Sequence, residues 1–265
     1  MIWIENPGVD DRFEQVVEHI FERRRAAGLD RDGAAELARE PLFFAASLVA
    51  LGEADGCVAG ATHTTAEVIR AGIYCVGMAT DIPIVSSMFL MVRGITNYSY
   101  ADGGVLPDPD PSQLAAIASS SAKNHRLLTT EEPRVAFLSF STKGSAEHSR
   151  IDKVREGLRI FREQHPEIEA DGELQFDTAI IPEVAAAKAP DSSVAGRANV
   201  FVFPDLDSGN LAYKITHRLA SFQALGPLIQ GLARPCLDLS RGCNADDIVQ
   251  VSVIASVMAP AKEDA

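Results

Sequence analysis

No stretch of the 265-residue sequence stays apolar over the length of a membrane-spanning helix, which argues against a membrane protein. The opening residues, MIWIENPGVDD, also lack the basic segment, the apolar stretch and the small-residue cleavage site of a signal peptide. We therefore expect a cytoplasmic protein. Hydrophobic residues make up 46% of the sequence and charged residues 23%, which is ordinary for a soluble globular protein.

Positive charge is scarce. The sequence has 24 lysines and arginines against 37 aspartates and glutamates, for a formal net charge of −13. This balance argues against nucleic-acid binding, because such binding needs a basic surface that displaces counterions. Any anionic ligand must be held by local arginines against the overall negative field, so clustered arginines are candidate binding residues.

Cysteine is also scarce, and the spacing of the cysteines does not indicate a metal site. The four cysteines are far apart in sequence, and no pair has the close spacing of a zinc knuckle or a redox motif. They are Cys57, Cys75, Cys236 and Cys243. In a chain of this length they indicate free thiols in a reducing compartment.

Helical and strand patterns alternate along the chain. Residues 10–27 (DDRFEQVVEHIFERRRAA) place apolar side chains at helical spacing, with acids in the first turn and Gly28 as a stop. Other predicted helices are 63–73, 112–128 and 151–164, and the predicted strands are 55–60, 84–92, 134–139, 179–181 and 200–203. Strands that alternate with helices imply a largely parallel sheet with crossovers, so the predicted fold class is α/β.

Several long motifs occur in a fixed order along the chain. They are LGEADGCVAGATHTTAEVIR (51–70), STKGSAEH (141–148), DGELQFDTAIIPEVAAAKAP (171–190), VAGRANVFVFPDLDSGNLAYK (194–214), GPLIQGLARP (226–235) and DLSRGC (238–243). Together they resemble the phosphate acetyltransferase family nearly end to end. Members of that family convert acetyl phosphate and CoA into acetyl-CoA and phosphate, reversibly, in acetate metabolism.

The resemblance implies an active site near the C-terminus. The CoA thiol must lose a proton before it attacks acetyl phosphate, and an oxyanion and a phosphate leaving group then develop. By the family pattern, Asp247 is the general base, Ser240 hydrogen-bonds the thiol or the oxyanion, and Arg241 holds the phosphoryl group. The scheme needs no metal ion, no nicotinamide and no covalent enzyme intermediate, and CoA is a substrate.

The same pattern implies four substrate-binding residues. Arg70 follows the HTTA motif and matches a substrate-binding cation, and Arg24 matches an arginine associated with CoA. Lys143 lies in the STKGS loop, which suits an anion contact, and Asn210 lies in the GNLAYK stretch.

Each proposed role has a structural alternative. Asp247 also suits a first-turn acid favoured by the helix dipole, and Ser240 also suits a turn or capping serine. Arg241 also suits a surface ion pair in so acidic a chain. Arg24 stands in a run of three arginines, and such runs usually form a solvated helix face.

By resemblance, the fold has two α/β domains with the active site in the cleft between them, similar to the isocitrate/isopropylmalate dehydrogenase-like architecture. Residues 1–81 plus 227–265 would form the first domain and residues 82–226 the second. The family commonly forms homodimers. Its members normally begin with about two further βα units, by the usual size of such units, so the sequence is expected to lack the family's N-terminal segment.

Two alternatives to this function remain at this stage. The first is a truncated regulatory domain without activity, like the transferase-like domains appended to some malic enzymes. The second is a phosphate acyltransferase for propanoyl or butanoyl groups, since one methylene gives a pocket little discrimination.

Overall fold

The first long helix forms where the sequence places apolar side chains at helical spacing. The computed structural model describes residues 3–259, and in it the helix runs over Phe13–Arg24. The side chains that it buries are Val16, Val17 and Ile20. A 3-10 turn at Arg25–Ala27 and Gly28 in the left-handed conformation end the segment, which confirms the predicted helix and its stop.

The helices and strands of the described residues alternate over most of the chain. In order they are α1 (Phe13–Arg24), α2 (Arg31–Arg39), α3 (Pro41–Leu51), β1 (Cys57–Ala59), α4 (Thr65–Ala71), β2 (Ser86–Arg93), β3 (Thr96–Ala101), α5 (Pro111–Thr129), β4 (Arg134–Leu138), α6 (Ser149–Gln164), β5 (Glu169–Leu174), α7 (Phe176–Ile180), α8 (Pro182–Lys188), β6 (Val200–Val202), α9 (Leu206–Leu219), β7 (Gln223–Gln230), β8 (Cys236–Asp238) and α10 (Ala245–Met258). A π-helical turn, Gly72–Val76, follows α4 directly.

The chain divides into two units. Unit 1 combines Met1–Asp81 with Leu232–Ala265, and unit 2 is Ile82–Gly231. By the family resemblance, residues 227–231 belong to the first domain. In the structure they contain the end of β7, which pairs with β2 inside unit 2.

Unit 1 contains a two-stranded parallel sheet, β1 beside β8. Ala59 pairs with Asp238, so the carboxyl ends of both strands lie at one edge. Helices α1 to α4 bury a shared apolar core, which includes Val17, Phe43, Val49, Val68 and Cys236. All four cysteines are free thiols, in line with the expectation from their spacing.

Unit 2 is built on a six-stranded mixed sheet in the order β5-β4-β6-β3-β2-β7. The strand pairs from β5 to β3 are parallel, and β2 is antiparallel to both of its neighbours. The structure is therefore α/β with largely parallel sheets, as the alternating pattern predicts.

One strand prediction is wrong. Residues 179–181 are not a strand, because α7 occupies Phe176–Ile180 and Pro182 then begins α8. A short apolar run does not by itself distinguish a strand from a buried turn of helix. The neighbouring β5 was not predicted, since its sequence, EADGEL, is rich in acids that are poor strand formers.

Within residues 3–259, the structure contains no helix that combines the length and the apolar character needed to cross a membrane.

Candidate active site

The candidate site of unit 1 lies where β1 and β8 end. The amide N–H of Leu239 donates to the carbonyl of Ala59 at 2.8 Å, which extends the pairing one residue beyond β8. The chain then leaves β1 through Gly60, whose φ is 105°. Ligands of α/β proteins commonly bind outside the carboxyl ends of parallel strands, and both conspicuous motifs of unit 1, HTTA and SRGC, start at this edge.

Ser240 and Arg241 lie in the turn between β8 and α10. The Ser240 hydroxyl accepts the amide N–H of Gly242 at 3.2 Å, and the Ser240 carbonyl accepts the amide of Cys243 at 2.9 Å. Both Ser240 and Arg241 are exposed. The Arg241 guanidinium pairs with none of the acids in residues 3–259, so the surface ion pair considered for it does not form in the structure.

Asp247 lies in the first turn of α10 and forms a capping box with Asn244. The Asn244 side chain accepts the amide of Asp247 at 3.0 Å, and Asp247 Oδ2 accepts the amide of Asn244 at 2.9 Å. The structural alternative for Asp247 is thus present. Asp247 is only half-buried, and its Oδ1 bonds to none of the described residues, so the cap leaves one carboxylate oxygen able to accept a proton.

Arg24 and Arg70 each lie against an aromatic ring of unit 1. The Arg24 guanidinium carbon is 3.9 Å from the ring centroid of Tyr74, and that of Arg70 is 5.8 Å from the centroid of Phe43. Within the described part of the chain, neither guanidinium has an ion pair. A ring face holds a guanidinium in place without using its N–H donors, so both arginines keep those donors for an anion.

Lys143 and Asn210 lie in unit 2. The Lys143 ammonium donates to Asp171 Oδ1 at 2.5 Å and to the carbonyl of Gly172 at 3.1 Å. Asn210, in α9, donates its side-chain amide to the carbonyl of Gly103 at 2.9 Å. Each side chain is therefore held by protein groups in this structure and keeps one further N–H donor.

A buried acid that sequence reasoning missed holds the STKGS loop. Glu173, at the end of β5, accepts the hydroxyl of Ser141 at 2.9 Å, the amide of Gly144 at 2.8 Å and the guanidinium of Arg155 at 2.8 Å. Burial opposes ionisation of Glu173, but these donors outweigh burial and lower its pKa to about 2. An acid inside a buried strand would have been a signal for this role. Because the sequence did not predict β5, it did not show that Glu173 is buried.

We expect Glu173→Gln to lower stability at neutral pH and to flatten its acid dependence. A carboxyl group whose folded-state pKa is depressed stabilises the fold above its unfolded pKa of about 4.3. That stabilisation is lost as the pH falls through the folded value of about 2. Urea unfolding between these pH values measures the effect, with the exposed Glu183→Gln as the matched control. Equal profiles for Glu173→Gln and the wild type would contradict the assignment.

A cavity of about 310 Å³ opens in unit 2 at the ends of β4 and β6. Its walls include Phe140, Phe176 and Phe203, and two cations, Arg150 and Lys153, also line it. Acids already pair with both cations, so the aromatic walls suit a flat, apolar group.

A second buried acid that sequence reasoning missed lies in unit 1. Asp238, the last residue of β8, is 1% exposed, and its Oδ2 accepts the hydroxyl of Thr65 at 2.5 Å. Burial raises the pKa of Asp238, against the opposing effect of the Thr65 hydrogen bond. The signal was available: Asp238 is an acid at the end of a short apolar segment, two residues before Ser240.

No group of three or more histidine, cysteine, aspartate or glutamate side chains within residues 3–259 has the arrangement of a metal site.

The chain matches known proteins over nearly its whole length. The family model described as phosphate acetyl/butaryl transferase matches residues 1–256. A phosphate acetyltransferase of Acetivibrio thermocellus is 44% identical over 264 residues, which cover 97% of this chain and 80% of that protein. One from Paracoccus denitrificans is 47% identical over 251 residues, which cover 92% of this chain and 78% of that protein.

The fold agrees with these matches. The crystal structure of a phosphotransacetylase from Streptococcus pyogenes superposes with a TM-score of 0.90 at 42% identity, covering 95% of this chain and 76% of that one. These matches show that the chain belongs to the phosphate acetyl/butaryl transferase family.

Proposed function

We propose that this chain is a phosphate acetyltransferase, which reversibly transfers an acetyl group between CoA and phosphate. One observation carries the proposal. In a chain of this family, Ser240 and Arg241 lie exposed in the turn after β8, and Asp247 lies at the start of the helix that follows directly, with one carboxylate oxygen free of the cap. A donor, a cation and a base thus occur within eight residues at the end of a strand.

Asp247 begins the reaction by removing a proton. A free thiol has a pKa of about 8.5, so the CoA sulfur is mostly protonated at neutral pH and is a weak nucleophile in that form. Asp247 Oδ1 accepts the S–H proton as the sulfur attacks the carbonyl carbon of acetyl phosphate. A C–S bond forms, and the carbonyl π electrons move onto oxygen.

Ser240 and Arg241 stabilise the charge that develops next. The tetrahedral oxyanion re-forms its carbonyl, the bond between carbon and the bridging phosphate oxygen breaks, and phosphate leaves with that electron pair. The Ser240 hydroxyl donates to the thiol sulfur or the oxyanion, and the Arg241 guanidinium binds the phosphoryl oxygens in a bidentate manner. The free guanidinium of Arg241 supports this role.

The proposed binding residues fall into two groups. Arg24 and Arg70 are held by ring faces and keep their N–H donors for the anionic groups of the substrates. Lys143 and Asn210 are the other two proposed binding residues, and each keeps an N–H donor besides those bonded to its present partners.

The proposed enzyme needs no cofactor and no metal ion, and acts on soluble substrates in the cytoplasm, in acetate metabolism. It has no nucleic-acid or membrane partner. We propose a homodimer, which a stripe of exposed apolar side chains on α9 supports. The stripe recurs every fourth residue, at Leu211, Ile215 and Leu219.

Purified protein mixed with CoA and acetyl phosphate is expected to form thioester, with lower kcat/KM for propanoyl and butanoyl phosphate. A hydrophobic pocket discriminates by only about 10- to 200-fold in kcat/KM for one methylene, so we expect the longer acyl phosphates to react more slowly but not to be excluded. The assay follows thioester absorbance, and heat-denatured protein is the control. Absence of thioester with every acyl phosphate would overturn the proposed function, and faster butanoyl transfer would overturn only the acetyl preference.

A further inference from the structure

Asp238 is a buried acid that the proposed reaction does not use. It ends β8, is 1% exposed and lies two residues before Ser240. Removing a carboxyl group from water is costly unless it gains partners, so a buried acid in this place calls for an explanation.

The contacts of Asp238 join two segments that are far apart in sequence. Its Oδ2 accepts the hydroxyl of Thr65, the first residue of α4, although the two residues are 173 positions apart. Its Oδ1 is buried without a hydrogen-bond partner among residues 3–259. The Thr65 hydroxyl is thus the side-chain donor that fixes this carboxyl group.

Thr65 directly follows the residue that caps α4. Thr64 caps α4, since its hydroxyl accepts the amide of Glu67 and its own amide donates to the Glu67 carboxylate at 2.7 Å. The capping box fixes the start of α4, and through it the hydroxyl of Thr65 that reaches Asp238.

We propose that Asp238 is a positioning residue, which fixes the turn of Ser240 and Arg241 against the start of α4 through its hydrogen bond with Thr65. The inference rests on the proposed function. Because Asp238 is the last residue before the turn, the position of its side chain determines where the turn leaves the sheet. A displacement of about 1 Å in a catalytic group is enough to cost about 100-fold in rate.

The first variant removes the hydroxyl donor of Thr65 and keeps the volume of the side chain. Thr65→Val deletes the hydroxyl and is expected to lower kcat for acetyl-CoA formation about 10- to 100-fold, with KM for CoA changed less than about threefold. Thr65→Ser keeps a hydroxyl at the same position and restores kcat to within about threefold of the wild type. Thr129→Val is the matched control, because Thr129 is also half-buried and donates its hydroxyl to the carbonyl of His125 in unit 2.

Asp238→Asn separates positioning from proton transfer. Its amide oxygen still accepts the Thr65 hydroxyl, so a positioning residue keeps kcat within about tenfold of the wild type. A folded Asp238→Asn protein as inactive as Asp247→Ala would overturn the proposal in favour of a proton-transfer role. Full kcat in folded Thr65→Val would overturn it as well. Urea unfolding of each variant checks that the fold is intact.

A measurement without catalysis distinguishes failure of this inference from failure of the proposed function. If the wild type forms no thioester, the proposed function fails, and hydrogen exchange at the amides of residues 239–244 still reads the order of the turn. Thr65→Val is expected to speed exchange there relative to the wild type and Thr129→Val. Equal exchange in all three proteins would overturn the positioning role.

Discussion

Replacing Asp247 with asparagine or alanine is expected to lower kcat for acetyl-CoA formation by about 10²–10⁴-fold, the range that general base catalysis contributes. Both substitutions remove the carboxylate that accepts the thiol proton. They differ in the capping box, because an asparagine oxygen still accepts the amide of Asn244 whereas alanine leaves that amide without its partner.

The two variants therefore separate catalysis from helix capping. Asp247→Ala is expected to lose about 1 kcal/mol of unfolding free energy, and Asp247→Asn much less, while both lose activity alike. Asp246→Ala is the matched control, since Asp246 is an exposed acid in the same helical turn outside the capping box. Steady-state kinetics and urea unfolding measure the two effects, and an Asp247→Asn protein as active as Asp246→Ala would contradict the role of Asp247 as base.

Gly60→Ala is expected to destabilise the protein by about 3–5 kcal/mol. The loss combines the strain of an alanine in the left-handed conformation with overpacking against the end of β8. The backbone at Gly60 has a φ of 105°, and a Cβ there would lie 2.1 Å from Asp238 Oδ1 and 2.5 Å from the carbonyl oxygen of Leu239. Relief of this overlap requires β1 and β8 to separate at the site edge.

Gly52→Ala is the matched control for backbone strain alone. Gly52 has a φ of 83° at the end of α3, and a Cβ there would meet nothing within 4 Å. Its cost is expected to be about 1–2 kcal/mol. Denaturant unfolding measures both values, and an equal loss in the two variants would show that the site edge has room for a side chain and contradict its close packing.

Local sequence was sufficient for several parts of the fold. The apolar spacing in residues 10–27 predicted α1, and Gly28 predicted its end. Alternation of helix and strand patterns predicted the α/β class. These features depend on neighbours within a few residues, which the sequence displays directly.

The prediction failed where short apolar segments carry no distinguishing period. Residues 179–181 were predicted as a strand, but they form the end of α7 and the junction to α8. Strands β3 and β7 were not predicted because turn residues and glycine interrupt their patterns. Pairing with distant strands stabilises β3 and β7, and local propensity does not encode such pairing.

For the site, the resemblance of the motifs to a known family supplied Ser240, Arg241 and Asp247 as the proposed catalytic residues. Only the tertiary structure brought Asp238 to Thr65 across 173 positions, engaged Lys143 with Asp171, and placed Arg24 on the ring of Tyr74. The spacing of residues that are close in sequence can be read directly from the sequence. Contacts between residues that are far apart in sequence depend on which strands pair and which faces become buried. Both are determined only when the whole chain folds.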